Sequence, residues 1–175
     1  MKKTTVISAI AFAFMMLFSF DVNAQKFAGL DKSPLDVAYY KTSRNAPPIA
    51  RVIYSRPQLK GRDAKTLTQK DKVWRTGANE STEITFYNDV TFGGKAIKAG
   101  TYTLHTIAGD SEWTIIVNSD LHTWGSYQYK EGNDVARVKA KVTEGGDSLE
   151  AFSIAFSEGN MVMGWGKIRV AVPIK

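Results

Sequence analysis

From Thr82 onward, apolar residues recur at every second position, which is the period of half-buried β-strands. Ile84 and Phe86 share one face of the first such segment, and the pattern resumes at Val90 after a polar break, so we predict a hairpin there, with another tight turn at Gly93-Gly94. Further strands are predicted over 102–107, 113–117, 138–142, 152–156 and 161–172.

Two local patterns refine this interpretation. The alternation in the last segment changes parity at Gly166, which predicts a bulge or a bend in the strand. The run Ala99-Gly100-Thr101-Tyr102 resembles a tyrosine corner, in which the hydroxyl of Tyr102 would bond a backbone group a few residues upstream. Stacking of this tyrosine on a ligand is the alternative role.

The N-terminal half of the chain is less regular. Short strands are predicted over 35–40 and 51–55, separated by Pro47-Pro48, which cannot continue a ladder. The loop 56–72 could hold one helical turn around 64–69. The chain is therefore predicted to be all-β, a two-sheet antiparallel sandwich of about eight to ten strands, immunoglobulin-like or jelly-roll-like.

Residues 1–24 are predicted to be a signal peptide. Lys2-Lys3 precede an apolar run from Val6 to Phe20, and Val22-Asn23-Ala24 has the small-x-small pattern of a cleavage site. The run is shorter than the roughly 18 uninterrupted apolar residues that a membrane anchor needs. We therefore expect residues 25–175 to be exported, periplasmic or extracellular, as a single soluble β-sandwich domain without a transmembrane anchor.

The chain has no cysteine and only two histidines, His105 and His122. An exported fold without disulfides must rely on its core, and a lipoprotein is excluded because lipid attachment after cleavage needs a cysteine. Thiolate and multi-histidine zinc sites are excluded too. We expect no metal and no cofactor.

Positive charge is concentrated in one segment of the chain. The formal net charge is +6, and residues 41–75 hold ten basic and two acidic residues, whereas residues 76–175 sum to −3. A basic lobe favours anionic partners, and a solvated loop is the alternative. Nucleic acid is not expected, because export separates the protein from it and no recognition pattern occurs. The oligomeric state stays open.

The run Trp74-Arg75-Thr76-Gly77-Ala78-Asn79-Glu80 is the best candidate site. It combines an aromatic ring, a guanidinium, an amide and a carboxylate, which together can orient a polar ligand. On a strand, Arg75 and Asn79 would share one face, with Glu80 opposite. The alternative is a structural fastener, in which Arg75 pairs with a carboxylate and Asn79 forms a turn.

A second candidate surface is Trp124-Gly125-Ser126-Tyr127-Gln128-Tyr129. On a strand, Trp124 and Ser126 would lie on one face and Tyr127 and Tyr129 on the other, so one face is partly exposed. Aromatic rings beside hydroxyl and amide groups are typical of sugar-binding surfaces. The alternative is a core rim whose hydroxyls point to water.

Catalytic motifs are weak in this chain. No Gly-x-Ser-x-Gly elbow surrounds any serine, and Gly93-Gly94-Lys95 lacks the rest of a phosphate loop. Glu80, Glu83 and Asp120 could supply a glycosidase carboxylate pair, but the separation that decides this mechanism does not follow from sequence. An envelope hydrolase using Glu80 or His122 as base remains an alternative.

Several motifs between residues 33 and 174 are those of one family. They are Tyr54-Ser55-Arg56-Pro57, Lys60-Gly61-Arg62, the run from Val73 to Glu80, Ala99 to Tyr102, Glu112-Trp113-Thr114, Trp124-Gly125-x-Tyr127 and Val172-Pro173-Ile174. Through them the chain resembles an exported bacterial family known as domain of unknown function 2911. The resemblance implies a secreted single domain and no particular activity, and it does not extend to the loop 63–67. It marks as matched positions Arg56, Arg62, Arg75, Asn79 and Glu80.

These observations predict a non-catalytic binding module for an anionic or polyhydroxylated, glycan-like envelope component. Arg56, Arg62 and Arg75 would supply charge, and Trp74 and Trp124 would supply flat apolar area. A structural envelope protein whose functional surface is a protein interface is a further alternative. The candidate ligand-binding residues are Arg56, Arg62, Trp74, Arg75, Asn79, Glu80, Trp124 and Tyr127.

Overall fold

The alternating segments form antiparallel strands in the computed structural model, which describes residues 25–175. The predicted signal peptide lies outside the described residues. The strands are Leu35–Tyr40 (β1), Ala50–Ser55 (β2), Val73–Trp74 (β3), Thr82–Phe86 (β4), Val90–Phe92 (β5), Lys95–Ile97 (β6), Gly100–Ala108 (β7), Glu112–Asn118 (β8), Asp134–Ser157 (β9) and Asn160–Pro173 (β10). The helical elements are Ala64–Thr68 (α1) and a 3₁₀ turn at Glu131–Asn133.

Eight of these strands belong to one curled sheet. Its order is β1-β2-β4-β7-β8-β9-β10, with β3 also paired to β7, and all pairs are antiparallel. The remaining two, β5 and β6, form a small sheet that meets the end of the chain through a bridge between Phe92 and Ile174. The all-β antiparallel prediction is confirmed, but the two-sheet sandwich is not, because the large sheet is a half-barrel. No helix among the described residues has the length and hydropathy to span a membrane.

A line of hydrogen bonds, here called the seam, joins the end of β2 to β9. The Tyr54 hydroxyl accepts from the Ile154 N–H at 2.9 Å and donates to the Ile154 carbonyl at 3.3 Å. Nε of Arg56 donates to the Phe152 carbonyl at 3.1 Å, and backbone bonds from segment 57–59 continue the line. The side chains of Tyr54 and Arg56 thus supply hydrogen bonds to backbone groups on an edge of β9 that no neighbouring strand pairs with. Buried backbone groups require such partners.

Aromatic rings fill the core of the fold. Trp74 stacks on Trp165, with ring centroids 5.7 Å apart and planes at 12°, and it meets Trp113 edge-on at 6.1 Å. Phe152 packs edge-on against Trp74 at 5.1 Å and against Trp165 at 5.9 Å. Each such pair contributes roughly 0.5–1.5 kcal/mol beyond the burial of apolar area, so this cluster is a main source of stability.

Three local predictions can be compared with the structure. The bulge is confirmed, because the register of β10 against β9 shifts on both sides of Gly166. The tyrosine corner is confirmed, since the Tyr102 hydroxyl donates to the Lys98 carbonyl at 3.0 Å. The hairpin predicted from Thr82 was wrong, because β4 pairs with β2 and β7. The hairpin is formed by β5 and β6, which are joined at the predicted Gly93-Gly94 turn, where both residues adopt positive φ.

Two other segments also differ from the predictions. The alternating runs 138–142 and 152–156 belong to one continuous strand, β9, which changes partner from β8 to β10 near Val142. The run Trp124–Tyr129 is a turn and not a strand. Gly125 has φ +66° there, a left-handed conformation that breaks the alternation of an extended chain.

Candidate functional site

The run that begins at Trp74 folds as a loop rather than a strand. Thr76 and Asn79 both adopt positive φ, at 55° and 58°. Nε1 of Trp74 donates to the Gly77 carbonyl at 3.0 Å, and the Thr82 hydroxyl donates to the Thr76 carbonyl at 2.8 Å. These short-range bonds fold the β3–β4 loop back on itself, so the strand faces expected for this run do not exist.

The β3–β4 loop lies beside the β8–β9 loop, which brings the two predicted candidate segments together. The Gly125 N–H donates to the Asn79 carbonyl at 3.0 Å, and the Ser81 N–H donates to the Thr123 carbonyl at 2.9 Å. The Ser81 hydroxyl also accepts from the Thr123 hydroxyl at 2.8 Å. The two loops are thereby held as one unit.

A cavity of about 590 Å³ opens between these loops and the strands β1 and β2. Its volume lies within the range of about 300–1,000 Å³ that is usual for small-molecule sites. The indole of Trp124 is 58% exposed at this cavity. The lining residues are Asp31, Ser33, Leu35, Ile53, Tyr54, Ser55, Asn79, Glu80, Ser81, Glu83, His122, Thr123 and Trp124.

Carboxylates give the cavity its charge. Among residues 25–175, three carboxylates line it and no lysine or arginine does. Oδ1 of Asp31 accepts from the Ser33 N–H at 2.7 Å and from Nδ2 of Asn79 at 3.0 Å. Because both bonds favour the ionised form, the pKa of Asp31 is lowered from its ordinary value.

The other two carboxylates, Glu80 and Glu83, differ in what they contact. Oε1 of Glu83 accepts from the His122 N–H at 3.1 Å and lies 3.2 Å from Nδ1 of His122. Within residues 25–175, the Glu80 carboxylate makes no hydrogen bond and no ion pair. Glu80 is therefore the carboxylate with the most capacity left for a ligand.

One hydroxyl at the cavity stands out from the rest. Ser55 is 3% exposed and lines the cavity, and among the described residues its hydroxyl has no hydrogen-bond partner. The Ser81 hydroxyl, by contrast, is engaged by Thr123 and by the Gly125 carbonyl. A hydroxyl that lacks a protein partner, on a residue that lines a cavity, can donate to or accept from a bound molecule.

Of the eight predicted ligand-binding residues, Asn79, Glu80 and Trp124 line the cavity. Trp74 lies in the core, 7% exposed. Arg75 lies beside Gly125 and does not line the cavity. Within the described part of the chain it forms no ion pair, so the pairing of Arg75 with a carboxylate that the structural alternative predicts is not found.

The three remaining candidates do not line the cavity either. In addition to its bond in the seam, Arg56 pairs with Asp36 at 3.1 Å. Arg62 donates to the carbonyls of Leu59 and Gln58 at 2.9 and 3.0 Å, which fastens its own turn. Tyr127 is 84% exposed on the turn that carries Trp124.

The structure adds cavity residues that the sequence did not assign to ligand binding. The sequence predicts no role for Asp31, and it marks Ser55 only as part of the family motif Tyr54-Ser55-Arg56-Pro57. Glu83 and His122 were considered for catalysis alone. The outward position of Glu83 in the alternating strand was a signal of exposure, but its proximity to His122 depends on how the β8–β9 loop folds.

A family model described as "Protein of unknown function (DUF2911)" matches residues 34–174. No curated protein and no solved structure matches the chain. The matched range contains every residue that lines the cavity except Asp31 and Ser33.

Proposed function

The chain belongs to this DUF2911 family, and because the family description assigns no activity, we propose from the cavity that the protein is a non-catalytic binding module for a polyhydroxylated, glycan-like ligand. The observation that carries the proposal is the exposed indole of Trp124 at a cavity rich in carboxylates and hydroxyls. An exposed ring offers a flat apolar face to the C–H groups of a sugar, while carboxylate and hydroxyl oxygens bond its hydroxyls.

The rigidity of the two loops supports binding rather than a mobile surface. Backbone bonds join Asn79 to Gly125 and Ser81 to Thr123, so the residues of both loops are already ordered around the cavity. A pre-organised site loses less conformational entropy on binding than one that must order its loops. This arrangement supports recognition of a small ligand without any change of fold.

The charge of the cavity favours a polyhydroxylated ligand over an anionic one. Three carboxylates would repel an anion, and none of the basic side chains that were predicted to attract one lines the cavity. Arg56 and Arg62 use their guanidinium groups for bonds to neighbouring protein groups. The cavity therefore suits the glycan-like ligand that the sequence predicts better than the anionic one.

The contact between Glu83 and His122 favours a second candidate, an envelope hydrolase. A carboxylate 3.2 Å from Nδ1 can orient an imidazole so that Nε2 acts as a general base. The His122 side chain is 83% exposed, however, so water would compete with a substrate for Nε2. Turnover of a bound oligosaccharide that is abolished by His122→Gln would support the hydrolase over the binding module.

Glycan binding can be tested with a panel of soluble oligosaccharides and isothermal titration calorimetry. We expect at least one member to bind, and Trp124→Ala to weaken that binding by about tenfold, the equivalent of roughly 1.4 kcal/mol. Tyr87→Ala is the matched control, because Tyr87 is a 43% exposed aromatic residue that does not line the cavity. Absence of binding across the panel, or equal binding by Trp124→Ala, would overturn the proposal.

We further propose that the ligand belongs to the cell envelope, because residues 1–24 have the pattern of a signal peptide. Fractionation of bacterial cells that express the full chain would test this. The expected product is outside the cytoplasm and begins at Gln25. An uncleaved cytoplasmic product would contradict export.

A further inference from the structure

The negative charge of the cavity contrasts with the charge of the whole chain. The formal net charge of the chain is +6, yet the part of the lining that the structure describes contains three carboxylates and no lysine or arginine. A neutral sugar would need acceptors and donors but no excess of negative charge. The excess of carboxylates therefore indicates that the ligand carries positive charge in addition to its hydroxyl groups.

All three carboxylates have at least one oxygen without a partner among the described residues, since Asp31 uses only Oδ1 in its bonds to Ser33 and Asn79. Glu80 makes no hydrogen bond or ion pair within residues 25–175, and Glu83 uses only Oε1 in its contacts with His122. The Glu83 side chain is 24% exposed, so it is shielded in part from water. A charge that is partly desolvated interacts more strongly with an opposite charge than one in bulk solvent does.

A bare metal ion does not fit this arrangement. Among the described residues, no group of three or more histidine, cysteine, aspartate or glutamate side chains is placed to hold one. Calcium, the usual partner of carboxylates, takes about six to eight oxygen ligands that converge on one point. Carboxylates without the additional ligands that a metal ion needs suit an organic cation, which also carries hydrogen-bonding groups of its own.

Two further groups at the cavity suit such a cation. The hydroxyl of Ser55 has no partner among the described residues and can accept a hydrogen bond from an ammonium group. The exposed face of Trp124 attracts cations through the quadrupole of the indole. Both observations are independent of the carboxylates, and both residues line the same cavity.

We infer that the ligand is an amino sugar with a free, protonated amine, held by Glu80 and Glu83 beside Trp124. This inference rests on the proposed glycan binding and names the chemical class of the glycan. The amine supplies the positive charge, and the sugar ring supplies the apolar face and hydroxyls that the rest of the cavity accommodates.

Three trisaccharides with the same β-1,4 linkage separate the possibilities. They are the glucosamine trimer, its N-acetylated form and the glucose trimer, titrated by calorimetry at about pH 6, where amines are protonated and most carboxylates are ionised. We expect the glucosamine trimer to bind about tenfold more tightly than the other two. Raising the salt concentration from about 50 to about 500 mM should weaken only the glucosamine trimer.

Substitutions of cavity residues test whether the preference for the glucosamine trimer arises in the cavity. Glu80→Gln should weaken binding of the glucosamine trimer roughly two- to fivefold, the range of an ion pair at an exposed carboxylate, and leave the neutral trimers unchanged. Glu144→Gln, on an exposed part of β9, is the matched control for the loss of one charge. Ser55→Ala should weaken binding without lowering the melting temperature, because this hydroxyl bonds no described protein group.

The outcomes separate this inference from the proposed function. Equal affinity for all three trimers, with no effect of Glu80→Gln, would overturn the amino-sugar inference and leave glycan binding intact. Binding of other glycans but of no glucosamine oligomer would overturn it as well. If no glycan of any kind binds the folded protein, both proposals fall.

Discussion

His105 should make the stability of this protein depend on pH between about 7 and 5. The side chain is 2% exposed on β7, and within the described residues its buried Nδ1 has no hydrogen-bond partner. Its ring meets Tyr129 edge-on at 5.1 Å. Burial lowers the pKa of His105 from 6.5 to about 4, although the nearby carboxylates of Asp134 and Asp120 oppose the shift.

The sign and size of the effect follow from linkage. Because the pKa in the folded state lies below the unfolded value, the unfolded chain binds a proton first as the pH falls. Stability is therefore fully present above a pH of 6.5 and declines as the pH falls towards 4. With these two pKa values, the free energy of unfolding drops by about 2 kcal/mol between about pH 7 and pH 5.

Urea unfolding at about pH 7, 6 and 5 measures this drop. The chain has only two histidines, and unperturbed carboxylates titrate lower, near about 4, so few other groups contribute in this range. His105→Phe should remove most of the pH dependence, whereas His122→Gln should retain it, because the side chain of His122 is 83% exposed. The same slope in His105→Phe as in the unaltered protein would refute the buried, neutral imidazole.

Two further predictions concern the framework. Tyr54→Phe should lower the free energy of unfolding by about 1–3 kcal/mol, because the Ile154 N–H loses its acceptor in the seam; urea unfolding with no loss would contradict that role. Gly93→Ala should lower the melting temperature by several degrees more than Gly94→Ala. Both glycines have positive φ, which costs about 1–2 kcal/mol for other residues, but only at Gly93 would a Cβ overlap Val138. Equal melting temperatures would contradict the close packing of this turn against β9.

The strands were predictable from sequence where burial follows from local alternation. In β4, Ile84 and Phe86 are buried whereas Glu83 and Thr85 are partly exposed, as the pattern predicts. Pairing was less predictable, because it depends on segments far apart in the chain. Trp74 illustrates this limit, since nothing near it in sequence indicates that it stacks on Trp165 in the core.

The candidate site was predicted in outline. Asn79, Glu80 and Trp124 were all named from sequence, and the structure places them at one cavity. Their arrangement was not predictable, because positive φ values at Asn79 and Gly125 turn both segments into loops. Ser55 and Glu83 join them through the pairing of β2 with β4, which is a long-range feature.

The seam also bears on how the chain reaches its native state. Ile154 follows Tyr54 by 100 residues, so their bond closes a very long loop. Such closure carries a large entropic cost, and folds dominated by distant contacts form slowly. Because the chain is synthesised from its N-terminus, we expect Trp74 to stay exposed until β9 and β10 supply its partners Phe152 and Trp165. We therefore expect the chain to stay open to aggregation and proteolysis until the C-terminal hairpin of β9 and β10 has docked.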